Sequence, residues 1–130
     1  MDYSKYQDLN IRLIEPGILE IVMGKEGEKL STAGHRMHAE LAEIWRDVDR
    51  DPDVRVAIIR GAGKGFSAGG DLSLVEDIAK DFETRARVWR EARDLVYNLI
   101  NCSKIVVSAM HGPAVGAGLV AGLLADISIA

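Results

Sequence analysis

Nine of the thirteen glycines fall in two short windows, Gly61-Ala-Gly-Lys-Gly-Phe-Ser-Ala-Gly-Gly70 and Gly112-Pro-Ala-Val-Gly-Ala-Gly-Leu-Val-Ala-Gly122. Glycine lets a backbone N–H approach a ligand with no side chain in between, and loops that open into helix N-termini hold ligands in α/β proteins. The chemistry such loops offer is stabilisation of negative charge by main-chain donors. Turn formation and close helix packing are the alternative reasons for glycine here, and the windows alone leave both open. A phosphate-binding loop fails at two positions, Ile58 and Gly65, where it needs glycine and a hydroxyl residue. Gly116-Ala-Gly-Leu-Val-Ala121 matches the dinucleotide pattern GxGxxA, but the helix after it has room for only about two turns before Asp126.

Few other side chains are placed for chemistry. His111 precedes the second window, where an imidazole can act as a base near neutral pH or simply bond a neighbouring loop. His35 and His38 stand three apart with no third ligand at metal spacing, so no metal site is expected. Glu76, Asp77, Asp81 and Glu83 form an acidic run, the usual mark of a solvated helix face. Cys102 is the only cysteine and has no evident activating cation, and Trp45 and Trp89 read as core or interface anchors. Asp126 opens a strand and suits a role in satisfying backbone groups.

The elements that must position the windows follow from periodicity. Ile11 to Glu15 and Ile18 to Met23 are extended runs joined by Pro16-Gly17, a hairpin. Met37, Leu41, Ile44, Trp45 and Val48 lie on one face of a helix from about Thr32 to Arg50, which Asp51-Pro52-Asp53 ends. Val54 to Ile59 reads as a central parallel strand leading into the first window. One long helix follows, clearest at Val88, Ala92, Leu95, Val96 and Leu99, then the strand Ile105-Val106-Val107, the second window, a short helix and a strand from Asp126. Strand, glycine loop and helix recur, which argues for βαβ crossovers in an α/β fold. The final strand stops without a turn or polar tail, so the chain reads as the N-terminal part of a longer protein.

Composition narrows the functional classes. The chain has 130 residues, 48% hydrophobic and 28% charged, which fits one globular domain over residues 1–130 and no second domain. A net charge of −4, mixed along the chain, makes nucleic acid an unlikely partner. The lone cysteine and the polar N-terminus point to a reducing, cytoplasmic setting. The apolar stretch from Ile105 to Ala125 is long enough for a membrane span, but Pro113, four glycines and the β-branched run favour a strand, a turn and a short helix. No membrane partner is expected.

Taken together, Lys64-Gly-Phe-Ser-Ala-Gly-Gly-Asp-Leu72 and His111-Gly-Pro-Ala-Val-Gly-Ala-Gly-Leu119, with Asp126 seven residues on, resemble the crotonase superfamily, the enoyl-CoA hydratase/isomerase family. The resemblance covers about the first half of a typical member. It implies a crotonase-like spiral of repeated ββα units, truncated before the C-terminal helical part, with homotrimers or dimers of trimers for the full-length protein. It also implies an acyl-CoA substrate, with coenzyme A as part of the thioester and no separate cofactor, and an isomerase or lyase of fatty acid metabolism.

Carried over by position, the resemblance makes the backbone N–H groups of Gly70 and Ala117 an oxyanion hole for a thioester enolate. It sets Ser67, Ala68, Asp71 and Leu72 along the substrate, with Lys29 and Leu30 nearer the adenine. Asp71 is equally suited to capping the next helix. The family's usual Asn-Arg-Pro before the first helix is replaced by Gly24-Lys-Glu-Gly-Glu28, and Val120 stands where hydratases carry their first glutamate. Valine moves no proton, so no general acid or base is assigned. Isomerisation, thioester hydrolysis, decarboxylation, or hydration by a differently placed acid stay open. Two other readings do too: a non-catalytic or truncated member that binds acyl-CoA or a partner subunit, and a dinucleotide-binding module.

Overall fold

The computed structural model describes residues 1–27 and 30–130. Strands β1 (Leu9–Glu15) and β2 (Ile18–Met23) form the expected antiparallel hairpin. Beyond it the sheet is parallel: β3 (Val56–Gly61) pairs β2, β5 (Ile105–Ala109) pairs β3, and β7 (Ile127–Ile129) pairs β5, giving the order β1-β2-β3-β5-β7. Side chains alternate across the strands. Leu19, Ile21 and Met23 of β2 face the same side as Ala57 and Ile59 of β3 and Val106 of β5, and all are buried.

Helix α1 (His35–Arg50) closes that face with the stripe read from sequence, Met37, Leu41, Ile44, Trp45 and Val48, every one buried. It begins later than the periodicity predicts, because Ala33 is drawn into a parallel bridge with Gly70 and holds the chain extended up to the cap at Gly34. Its C-terminal Asp51 is almost wholly buried. The Asp51 carboxylate accepts the Tyr3 hydroxyl at 2.7 Å and the Asp53 N–H at 2.9 Å. Burial pushes its pKa up, but those two hydrogen bonds outweigh it and hold the carboxyl below its usual range.

The expected single helix after the first window is two, α2 (Leu72–Lys80) and α3 (Phe82–Ile100). Asp81 breaks them, capping α3 by accepting the Thr84 N–H at 3.0 Å. Trp45 is core, whereas Trp89 on the outer side of α3 is largely exposed. The last strand, β7, is an exposed edge, not a buried one. Asp126 before it accepts the Val106 N–H at 2.7 Å.

Sequence periodicity missed two elements inside the windows. Strands β4 (Ser67–Ala68) and β6 (Ala114–Val115) pair in parallel as a small second sheet, and α4 (Gly116–Leu123) packs beside them. Gly118 of α4 is buried directly over Ser67, so closely that an added Cβ would collide with the serine Cβ and Oγ. No helix among the described residues is long and apolar enough to cross a membrane.

Two stability predictions follow from this packing. Gly118→Ala ordinarily gains about 1 kcal/mol of helix propensity, but the collision with Ser67 is expected to reverse the sign, with a net loss of about 1–3 kcal/mol typical of overpacking. A raised urea midpoint would show that α4 has room there. Asp51→Asn should cost about 1–3 kcal/mol near neutral pH by weakening two buried hydrogen bonds. A carboxyl with a depressed folded pKa contributes stability above its unfolded pKa of about 4, and the contribution is lost as pH falls through the folded value. Melting temperatures measured from pH 7 to pH 2.5 should therefore fall less steeply in acid for the asparagine variant than for the parent.

Candidate active site at the paired glycine loops

Strands β3 and β5 lie side by side in register through Arg60 and Ala109, so the two glycine windows leave the same end of the sheet as neighbours. They are then tied by main chain. The Phe66 and Ser67 N–H groups both donate to the Pro113 carbonyl, at 2.9 and 3.0 Å. On the other side the segment before α1 joins in: Ala68 N–H donates to Ser31 O at 2.8 Å, Ala33 N–H to Gly69 O at 2.8 Å, and Asp71 N–H to Ala33 O at 3.0 Å. Three stretches distant in sequence thus run alongside one another.

The two windows also meet at Gly69 and Gly116, which have φ of +88° and +65°. Side chains rarely adopt that region, and a Cβ at Gly116 would also stand 3.1 Å from the Gly69 Cα and 3.7 Å from the Gly70 nitrogen. Ala117 N lies two bonds beyond the Gly116 Cα, so covalent geometry keeps the Gly70 and Ala117 nitrogens within about 7 Å. Neither N–H has a hydrogen-bond partner among the described residues, although the surrounding N–H groups of Ser67, Ala68, Gly69 and Asp71 are all paired. As residues, Gly70 is exposed and Ala117 half-buried. Each sits at a helix start, Gly70 just before the α2 cap and Ala117 in the first turn of α4, where unpaired N–H groups and the helix dipole favour negative charge.

The other expected site residues fall in different places. The Asp71 carboxylate caps α2, accepting the Leu74 N–H at 2.8 Å. It also lines a cleft of about 330 Å³ with Leu30, Ser31, Thr32, Lys25 and Met37, so Asp71 and Leu30 do come together. Leu72 is 74% exposed at the mouth of α2, and Ala68 is half-buried in β4. The Ser67 side chain is buried and turned onto the protein, accepting the Gly69 N–H at 3.2 Å and donating to the Val115 carbonyl at 3.4 Å. Lys29 lies outside the described residues. Ala33 and Pro113, whose main chain holds both loops, carried no sequence signal, because an extended pair of one or two residues is too short to show a period.

Titratable groups near the loops are engaged elsewhere. His111 Nε2 contacts the Gly63 carbonyl at 2.8 Å, on the exposed side of the first window. His35 lies between Asp77 (Nε2, 2.7 Å) and Arg87 (Nδ1, 2.6 Å), and His38 Nδ1 meets Glu91 at 2.6 Å. Burial raises the Glu91 pKa, but hydrogen bonds from His38 and Arg87 outweigh it and lower the value overall. Burial pushes the Cys102 thiol up, away from reactivity. Val120, 37% exposed on α4, presents only methyl groups.

Comparison with known proteins gives the family. A profile of the enoyl-CoA hydratase/isomerase family matches residues 14–130. The chain is 35% identical over 119 residues to the 1,2-epoxyphenylacetyl-CoA isomerase of Escherichia coli K12, covering 90% of this chain and 45% of that protein. It is 29% identical to the human mitochondrial Delta(3,5)-Delta(2,4)-dienoyl-CoA isomerase, covering 91% and 38%. The crystal structure of an enoyl-CoA hydratase/isomerase from Mycobacterium paratuberculosis superposes with a TM-score of 0.87 at 33% identity, over 93% of this chain and 48% of that one. The chain thus spans less than half the length of these relatives. With the profile matching residues 14–130 and the fold shared with a solved member, the chain belongs to the enoyl-CoA hydratase/isomerase family.

Proposed function

We propose that this chain supplies the thioester-activating loops of an acyl-CoA-processing enzyme, with the N–H groups of Gly70 and Ala117 forming its oxyanion hole. The observation that carries the reading is the pair of N–H groups, unpartnered among the described residues, on two loops locked side by side. Abstracting an α-proton from an acyl thioester, or adding a nucleophile at its β-carbon, drives negative charge onto the thioester oxygen. Two preorganised donors stabilise that enolate, and loss of one such donor typically raises the barrier by about 3–4 kcal/mol. The cleft lined by Leu30 and Asp71 opens beside the first loop and suits the pantetheine and nucleotide of coenzyme A, with Ala68 and Leu72 as further proposed contacts. No separate cofactor is invoked.

Isomerisation of the acyl group is the favoured reaction. Val120 removes one of the glutamates with which a hydratase positions water, and two relatives are by name isomerases of CoA thioesters. No proton-transfer residue is assigned among the described residues. A cytoplasmic enzyme of fatty acid metabolism, assembled as a trimer or a dimer of trimers, completes the proposal.

Calorimetric titration of the chain with acetyl-CoA and with NAD tests the ligand class. Saturable binding of the thioester and none of NAD is expected, and tight NAD binding with indifference to acetyl-CoA would reverse the reading in favour of a dinucleotide module. Gly70→Pro deletes one donor, and in the active enzyme it should lower kcat about 10²–10³-fold with affinity for the thioester little changed. Circular dichroism checks that the variant folds, and an unaltered kcat would remove Gly70 from the hole. Val120→Glu should not by itself confer hydration of crotonyl-CoA, since one carboxylate lacks its partner, and a gain of hydratase activity would contradict this assignment.

A further inference from the structure

We infer that Ser67 is a positioning residue whose hydroxyl couples the two glycine loops and so sets the relative placement of the Gly70 and Ala117 N–H groups; this rests on the oxyanion reading above. The Ser67 side chain is 4% exposed, and its hydroxyl is used in both directions. It accepts the Gly69 N–H at 3.2 Å, one residue before Gly70. It donates to the Val115 carbonyl at 3.4 Å, the peptide that leads into Gly116 and Ala117. One oxygen atom therefore bridges the residue just upstream of the first donor and the peptide just upstream of the second.

Three further contacts fix where that oxygen sits. Ser67 N–H donates to Pro113 O at 3.0 Å, and Ser67 pairs with Ala114 in the two-stranded sheet, so the serine backbone is anchored to the second window. Buried Gly118 lies against the Ser67 Cβ and Oγ, leaving no space for the side chain to turn toward α4. A larger residue at 67 meets α4, and a residue without a hydroxyl leaves the Gly69 N–H and the link to Val115 unmade. A hydroxyl held in this way cannot also reach a ligand, which makes its influence on a bound thioester indirect. Misplacement of a donor by even a fraction of an ångström weakens its effect on a developing charge, so the coupling is expected to show in the polarisation of the thioester carbonyl more than in affinity.

The test uses the intact chain in two arms. In the first, without ligand, amide hydrogen exchange and ¹⁵N–¹H spectra are compared between the parent and Ser67→Ala. Faster exchange of the Gly69 N–H, with displaced resonances for both Gly70 and Ala117 and unchanged resonances for Ile21 and Ile59 in the core, is the expected result. An undisturbed Ala117 resonance would overturn the coupling. In the second arm, isotope-edited infrared spectra of acetyl-CoA labelled with ¹³C at the thioester carbonyl are recorded on both proteins at saturation. Ser67→Ala should reduce the parent's downward carbonyl shift by about half or more while changing Kd less than about threefold.

Ser67→Cys, which keeps a weak donor and acceptor of similar shape, should fall between the two and serves if the alanine variant does not fold. An equal carbonyl shift in parent and variants would refute the positioning role. Absence of any shift in the parent would instead bring down the oxyanion reading, and the exchange arm would still decide whether Ser67 couples the loops.

Discussion

Main-chain contact between two loops, made through glycine, is the constraint on which the rest of this fold turns. A Cβ at Gly116 would press on the Gly69 Cα at 3.1 Å, and Ser67-Ala68 pairs in parallel with Ala114-Val115. Parallel strands that share a register deliver loops to the same end of a sheet, but nothing in the sheet alone makes those loops touch. Here the touching is done by carbonyl and amide groups, with Pro113 O taking two N–H donors and Ala33 giving and receiving across the first loop. Backbone bonds of this kind leave little freedom for side-chain drift, so the unpartnered N–H groups of Gly70 and Ala117 are held by a rigid surround.

The helices serve that arrangement from outside. Glu40 of α1 accepts N–H groups from Gln7, Asp8 and Leu9 at 2.8, 3.0 and 3.0 Å, which pins the N-terminal segment onto the helix. Towards its start, α1 reaches α2 through His35 and Asp77, and α3 through Arg87 and the His38–Glu91 pair. Arg87 must donate to His35 Nδ1, so the neutral ring carries its proton on Nε2, facing Asp77. The His35–Asp77 tie holds the later part of α2, the helix whose N-terminus Asp71 caps one residue after Gly70. On the proposed reading, a polar network between the helices thereby shares in orienting a donor that it does not contact.

Much of this was legible in the sequence because it depends on period. The β1–β2 hairpin with its Pro16-Gly17 turn and the core face of α1 follow from turn chemistry and helical spacing, and each is where those patterns put it. The two glycine windows were legible as loops by composition. What lay beyond reach was set by contacts between distant segments. Strands β4 and β6 are two residues each, below the length at which alternation exists, and α1 starts late only because Ala33 pairs with Gly70, 37 positions further along the chain. The break between α2 and α3 did have a local signal, Asp81 three residues before Thr84, which the run of acidic residues concealed. The inward turn of Ser67 had none, since a serine in a glycine-rich loop reads equally well as a ligand contact.

Glycine content and donor position prove to be separate matters. Gly69 and Gly116 need glycine for their left-handed backbone, and Gly118 needs it for its contact with Ser67. Gly70 shows neither demand: it has no positive φ, and a Cβ there would meet only Leu74 and Val75 side chains at 3.7 Å, an ordinary contact. Ala117 already carries a side chain. The two N–H groups proposed to bind the thioester oxygen thus belong to residues whose side chains are free to vary, while the glycines beside them do the shaping. A donor that acts through its main chain places no requirement on its own Cβ, and the requirement passes to the neighbours that aim it. That division explains why the glycine spacing in these windows fits no phosphate-binding loop: the glycines record how the loops pack on each other, not how they wrap a ligand.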